Sequence, residues 1–123
     1  MEIALNNETC DICLALYSTE DFMGKKMPTI ALYAESKYGE DFLTVSFGEF
    51  IGMKNASYVD INNMPFVTEL ISLGFAKDTG LNKRSGFCVY PLYLFDEDFL
   101  KSCGKETYEA YEKAYNDYMN ERM

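Results

Sequence analysis

The side chains that could do chemistry are few, and their spacing limits what they could do. Cys10-Asp11-Ile12-Cys13 has the spacing of half a zinc site. The only other cysteines, Cys88 and Cys103, have fourteen residues between them and do not supply a second pair. If the surrounding T-C-D-I-C-L-A-L-Y run is a strand, Cys10 and Cys13 leave it on opposite faces. A redox pair would want a helix N-terminus, which this pattern lacks. The thiols are therefore expected to be structural. Asp60, Asn62 and Asn63 form a polar cluster before a helix, and their types suit turn bonds and an N-cap better than acid–base work. The chain has no histidine, so His-based triads, His general bases and the commonest metal ligand are excluded. Cys88 and the Asp60 cluster are then the only footholds for an enzyme. The expectation is a protein with no catalytic, cofactor or metal residues.

What remains is charge. Twenty acidic and eleven basic residues give a formal −9. That is unsuited to broad contact with nucleic acid phosphates, which needs clustered Lys and Arg. It suits an acidic face offered to a basic groove of another protein. The acids concentrate at the two ends: residues 1–50 hold nine against three bases, and residues 96–123 hold eight against four. Between them, K-R-S-G-F-C-V-Y-P-L-Y-L-F (83–95) carries two cations and no acid. Lys83 and Arg84 could meet a carboxylate or phosphate of a partner, but no G-K-[ST] follows the glycines to make a phosphate loop.

Elements must position these residues. Met1–Leu5 and Thr9–Leu16 form an expected hairpin about Asn6-Asn7, with Cys10, Ile12, Leu14 and Leu16 on one face. Residues 18–28 resemble a loop. Thr29–Ala34 and Phe42–Phe47 make a second pair, and Ala56–Ile61 a further strand. A helix follows, capped by Asn63, with Pro65 in its first turn, Phe66, Leu70, Ile71 and Leu73 as its apolar stripe, and Gly74 at its end. K-D-T-G-L-N-K is expected as a polar turn, and Gly86–Phe95 as a central strand anchored by Phe87, Val89 and Leu92, although Pro91 calls for a bulge, a kink or an edge position there. Asp96 caps a short helix that Gly104 breaks. A tyrosine-rich helical extension then occupies 105–123.

Strands early and helices late give an α+β class: one domain over 1–123, with one antiparallel sheet of about five to six strands, one mid-chain helix and C-terminal helices. In the last helix Tyr108, Tyr111, Tyr115 and Tyr118 share a stripe. If the helix packs on the sheet they are core, or a self-association surface of a homodimer. If it projects, Tyr111 and Tyr115 with Glu109, Glu112, Asp117 and Glu121 make an acidic aromatic face for a partner. The chain shows no N-terminal apolar h-region and no run near the ~18 residues of a membrane span. The expectation is a cytoplasmic protein with reduced cysteines and no membrane contact.

Three segments carry a resemblance: F-L-T-V-S-F (42–47), Y-V-D-I-N-N (58–63) and G-F-A-K-D-T-G-L-N-K-R-S-G-F-C-V-Y-P-L-Y-L-F (74–95). Over roughly residues 28–100 the chain resembles a family of short proteins of unknown function from plasmids and other mobile elements of gut anaerobes. Arg84, Ser85, Gly86, Phe87, Cys88, Tyr90 and Pro91 fit its R-S-G-F-C-x-Y-P strand. Ser46-Phe47 stands where the family often has Asn-Leu, Ile61 replaces a Thr, and the tail after Gly104 lies outside the match. The resemblance transfers no catalytic residue. It implies a setting: small acidic proteins of mobile elements often shield the element from host nucleases, as anti-restriction and anti-CRISPR proteins do. The resulting expectation is a protein-binding inhibitor of a host defence nuclease, a Cas9-type effector first, that excludes guide RNA or DNA without binding nucleic acid itself. The alternative is a non-enzymatic accessory of plasmid maintenance or transfer.

Overall fold

A computed structural model describes residues 1–121. Two antiparallel sheets of four strands stand where one sheet of five to six was expected. The first is built on hairpins. Strand β1 (Glu2–Leu5) turns through Asn6 and Asn7, both at positive φ, into β2 (Glu8–Glu20). Two αL residues closed by the Leu5–Glu8 pair make the two-residue hairpin that Asn favours. Strand β2 pairs along its length with β3 (Lys26–Ser36), which pairs with β4 (Gly39–Phe42).

The expected loop at 18–28 is therefore mostly strand. Its polarity misleads because Thr19 and Thr29 are buried as a hydroxyl pair 2.9 Å apart, and Thr19 also donates to the Met27 carbonyl. Satisfied hydroxyls sit inside a ladder without penalty.

The expected strand Phe42–Phe47 breaks at Leu43, where the chain passes from one sheet to the other. Leu43 N–H bonds the Leu32 carbonyl, and Leu32 N–H bonds Thr44 Oγ1. Strand β5 (Thr44–Val45) then opens the second sheet, ordered β5-β6-β8-β7 with β6 (Ala56–Val59), β7 (Ala76–Ser85) and β8 (Cys88–Phe95). K-D-T-G-L-N-K, expected as a turn, is most of edge strand β7. Its register slips between Asp78 and Asn82, so the irregularity lies in the partner strand directly beside Pro91. Strand β8 is central, as expected, and Leu92 is buried. Phe87 is not a core anchor. It sits with Gly86, at φ +61, in the β7–β8 turn, and its side chain is fully exposed.

The mid-chain helix is shorter than its pattern suggests. A 3-10 turn (Pro65–Thr68) leads into α1 (Glu69–Ser72), and Val67 and Leu70 are buried while Ile71 and Leu73 face out. Asn63 does not cap it, because its N–H and side-chain amide both donate to Asp60. Asp96 does cap α2 (Glu97–Cys103), accepting from Phe99 N–H at 3.0 Å. Gly104 joins α2 to α3 (Lys105–Glu121), and a Cβ there would stand 3.2 Å from the Leu14 Cβ, a tight contact that glycine avoids. Residues 122–123 of the expected extension lie outside the described residues. Tyr108, Tyr111 and Tyr115 of α3 belong to the same core cluster as Ile12, Leu14, Ile30 and Leu32 of the first sheet. Among the described residues, no helix is long and apolar enough to cross a membrane.

Candidate functional site

The last helix holds most of the residues that the sequence nominates for a partner, and the structure turns its aromatic stripe inward. All four stripe tyrosines are buried. Their hydroxyls grip the connection before β6: Tyr108 donates to Asn55 Oδ1 at 2.8 Å, Tyr111 accepts Asn55 N–H at 2.9 Å, and Tyr115 donates to the Gly52 carbonyl at 2.9 Å. Tyr118 donates to Asp21 at 2.8 Å. Asn55 itself is held at φ +67. Burial pushes the Tyr111 phenol up to about 12 and moves Tyr108 in the same direction, so both stay protonated. Tyr111 and Tyr115 are thus withdrawn from any contact surface. They clamp the 52–55 segment to the core.

The acidic residues of α3 are exposed or half-buried, but three of the four nominated are already matched. Glu112 meets Lys54 at 2.7 Å, Glu121 meets Lys25 at 2.7 Å, and Asp117 meets Lys113 at 2.8 Å one turn away. The Lys54 hydrogen bond holds the Glu112 carboxyl below the usual glutamate range. Glu109 is exposed and has no ion pair among the described residues. Lys83 is likewise engaged, 2.6 Å from Glu49 and over the Phe47 ring. Arg84 is exposed on β7 opposite Val89.

A second acidic surface emerges only from strand register. Glu2 pairs with Asp11, Asp11 with Glu35, and Glu35 with Glu40, so four carboxylates stand in one row across β1, β2, β3 and β4. All four residues are exposed. Adjacent strands are about 4.8 Å apart, so the row spans about 14 Å. Beside it on the same face lies the row Cys13–Tyr33–Phe42. The Tyr33 and Phe42 rings are 5.5 Å apart, and Tyr17 adds a third ring 6.0 Å from Phe42.

Like charges placed directly across strands are destabilising, by roughly 0.2–1 kcal/mol a pair. Here three such pairs run in series. The fold relieves them in part: the Met1 ammonium meets Asp11 at 2.8 Å and holds its carboxyl below the usual range, and the Cys13 thiol lies 3.7 Å from Asp11 and 3.8 Å from Glu35. No lysine or arginine ion-pairs with any of the four among the described residues. Nothing in strand propensity or packing calls for such a row.

Asp11, Cys13 and Glu35 also bring three potential metal donors within 4.8 Å of one another. Burial, with the adjacent carboxylates, raises the Cys13 pKa, so the thiol is a protonated donor toward those carboxylates rather than a ready thiolate ligand. The other nominated chemistry stays structural. Cys10 is buried on the core face while Cys13 leaves the opposite one. Asp60 accepts two bonds from Asn63, the expected turn role, and Cys88 is half-buried at the start of β8. The carboxylate row is what residue-by-residue reading missed. Its only trace in the sequence is the excess of acids in residues 1–50, since its members lie 9, 24 and 5 positions apart.

A family model described as a domain of unknown function (DUF4313) matches residues 12–115. No curated protein matches the chain, and no solved structure does.

Proposed function

The chain belongs to the family described as a domain of unknown function (DUF4313), and from that premise we propose that it is a non-enzymatic protein-binding inhibitor. It offers the first sheet's carboxylate row to a cationic groove that otherwise holds nucleic acid. The single observation that carries this reading is the register Glu2–Asp11–Glu35–Glu40. A cross-strand line of like charges lowers stability, and a fold keeps such a feature where a use outweighs the cost. A spacing of about 4.8 Å is of the same order as the ~3.4 Å axial rise per phosphate along one DNA strand. Tyr33 and Phe42, beside the row, supply aromatic contact area next to the charge.

The partner class follows from electrostatics together with the mobile-element resemblance of 28–100. It is a host defence nuclease, first a Cas9-type effector, whose basic channel receives guide RNA or DNA. Carboxylates seated there exclude the nucleic acid with no bond made or broken. Binding and cleavage assays against Cas9-type and restriction nucleases, run at several salt concentrations, test the reading. The expected result is stoichiometric inhibition that weakens as salt rises. Undisturbed cleavage across the panel overturns it, and co-purification of a replication or conjugation protein instead would favour the plasmid-accessory alternative.

A further inference from the structure

The carboxylate row also limits the shape of what can cover it, an inference that rests on the inhibitor reading of this face. Glu2, Asp11, Glu35 and Glu40 stand on four neighbouring strands, joined by three successive cross-strand pairs. At about 4.8 Å a strand the row is about 14 Å long and one residue wide. Its members are exposed, and among the described residues none has a lysine or arginine partner. Asp11 alone meets a cation, the Met1 ammonium at 2.8 Å. The row therefore reads as Glu2, a filled slot at Asp11, then Glu35 and Glu40.

Periodicity decides which element of a partner can carry the matching cations. Residues on one face of an extended strand recur every ~6.6 Å, so four of them run about 20 Å and overshoot the row by about 6 Å. On one face of an α-helix, positions i, i+3, i+7 and i+10 rise about 15 Å in total, within about 1 Å of the row. A helix laid across the strands keeps pace with the row, and a strand does not. The filled Asp11 slot removes one of the four positions. Cations are then needed at i, i+7 and i+10, or at i, i+3 and i+10 for the opposite helix direction, with a small uncharged residue in the remaining place.

The rings beside the row choose the cation. Tyr33 and Phe42 lie two residues along the strands from Glu35 and Glu40, their ring centroids 5.5 Å apart, and Phe42 is 47% exposed. A guanidinium grips a carboxylate as a planar fork and also stacks on an aromatic ring, whereas an ammonium meets the carboxylate as a point charge. We propose that this face takes an α-helix of the partner presenting three arginines in that phase, two of them on Glu35 and Glu40 with a guanidinium over Phe42.

Binding of capped, alanine-based helical peptides to the full chain at low salt, followed by the amide shifts of β3 and β4, tests it. One of the two phased peptides is expected to bind at least about tenfold more tightly than an isomer with the same three arginines spread around the helix. Glu35→Gln should remove most of that advantage. Phe42→Ala should weaken the arginine peptide about threefold or more and its lysine counterpart little. Equal binding of phased and spread isomers, a phased advantage that survives Glu35→Gln, or equal losses of both peptides in Phe42→Ala would overturn the proposal. The nuclease assay judges the inhibitor reading separately. Inhibition without phase preference keeps that reading and overturns the helix, while phase preference with undisturbed cleavage supports the helix and strikes the nuclease.

Discussion

Glu112 and Glu35 are both acidic, partly or fully exposed, and set beside aromatic rings, yet they live in opposite electrostatic settings. Glu112 lies on α3 among acids visible together in the sequence, and Lys54 meets it. Glu35 lies in a strand with no acid within four residues, and the fold sets one carboxylate on each side of it. Two of the helix acids that cluster in sequence, Glu112 and Glu121, were matched by lysines from distant loops. Strand acids dispersed in sequence were stacked by register into a row that no lysine relieves. Local charge density is thus a poor guide to where unneutralised charge sits, and strand pairing is a better one.

The same contrast orders what mutations should do. The largest effect belongs to the interior of α3. Tyr111→Ala empties a core site and removes the acceptor of Asn55 N–H, and should cost about 3–5 kcal/mol in urea unfolding. Tyr111→Phe keeps the ring and should cost about 1–2 kcal/mol by stranding that N–H. Loss below 1 kcal/mol for the alanine variant would mean the tyrosines are not the clamp described here.

The carboxylate row should respond with the opposite sign. Glu35→Gln removes the middle charge from two like-charge pairs and should raise stability by about 0.5–1 kcal/mol while weakening partner binding. A drop in stability would show that Glu35 is held by a compensating contact, and the contrast would collapse.

The matched acids of α3 should matter least. Glu112→Gln should cost no more than about 1 kcal/mol, the range of half-exposed ion pairs, and less in high salt. Its pH dependence has a definite sign. Because the folded carboxyl titrates below the unfolded one, the pair's contribution is complete above the ordinary glutamate pKa and is lost as pH falls through the lowered value. Asp11, lowered by the Met1 ammonium, adds a contribution lost in the same direction. A Glu112→Gln variant whose acid unfolding curve coincides with the parent's would remove Lys54–Glu112 from the account.

These differences also mark how far the sequence could be read. Features governed by neighbours were legible: the Asn6-Asn7 hairpin, the Asp96 cap, the Gly104 break and the tyrosine stripe all depend on contacts within a turn or two. The α+β class followed from the order of elements. What depended on distant partners was not legible. The Thr19–Thr29 hydroxyl pair made strand out of an expected loop, and the crossing at Leu43 split one strand between two sheets. Lys54 and Lys25 cancelled acids 58 and 96 residues away. The carboxylate row needed three registers at once, and no spacing rule connects positions 2, 11, 35 and 40 before the strands are paired.

One measurement bears most directly on the row as the inhibitory surface: cleavage by a Cas9-type nuclease titrated with the parent protein and with a Glu2→Gln, Glu35→Gln, Glu40→Gln variant, alongside the thermal unfolding of both. The expected result is inhibition by the parent at stoichiometric ratio and its loss in a variant at least as stable. A variant that inhibits as well as the parent, or a parent that leaves cleavage unchanged, would contradict it.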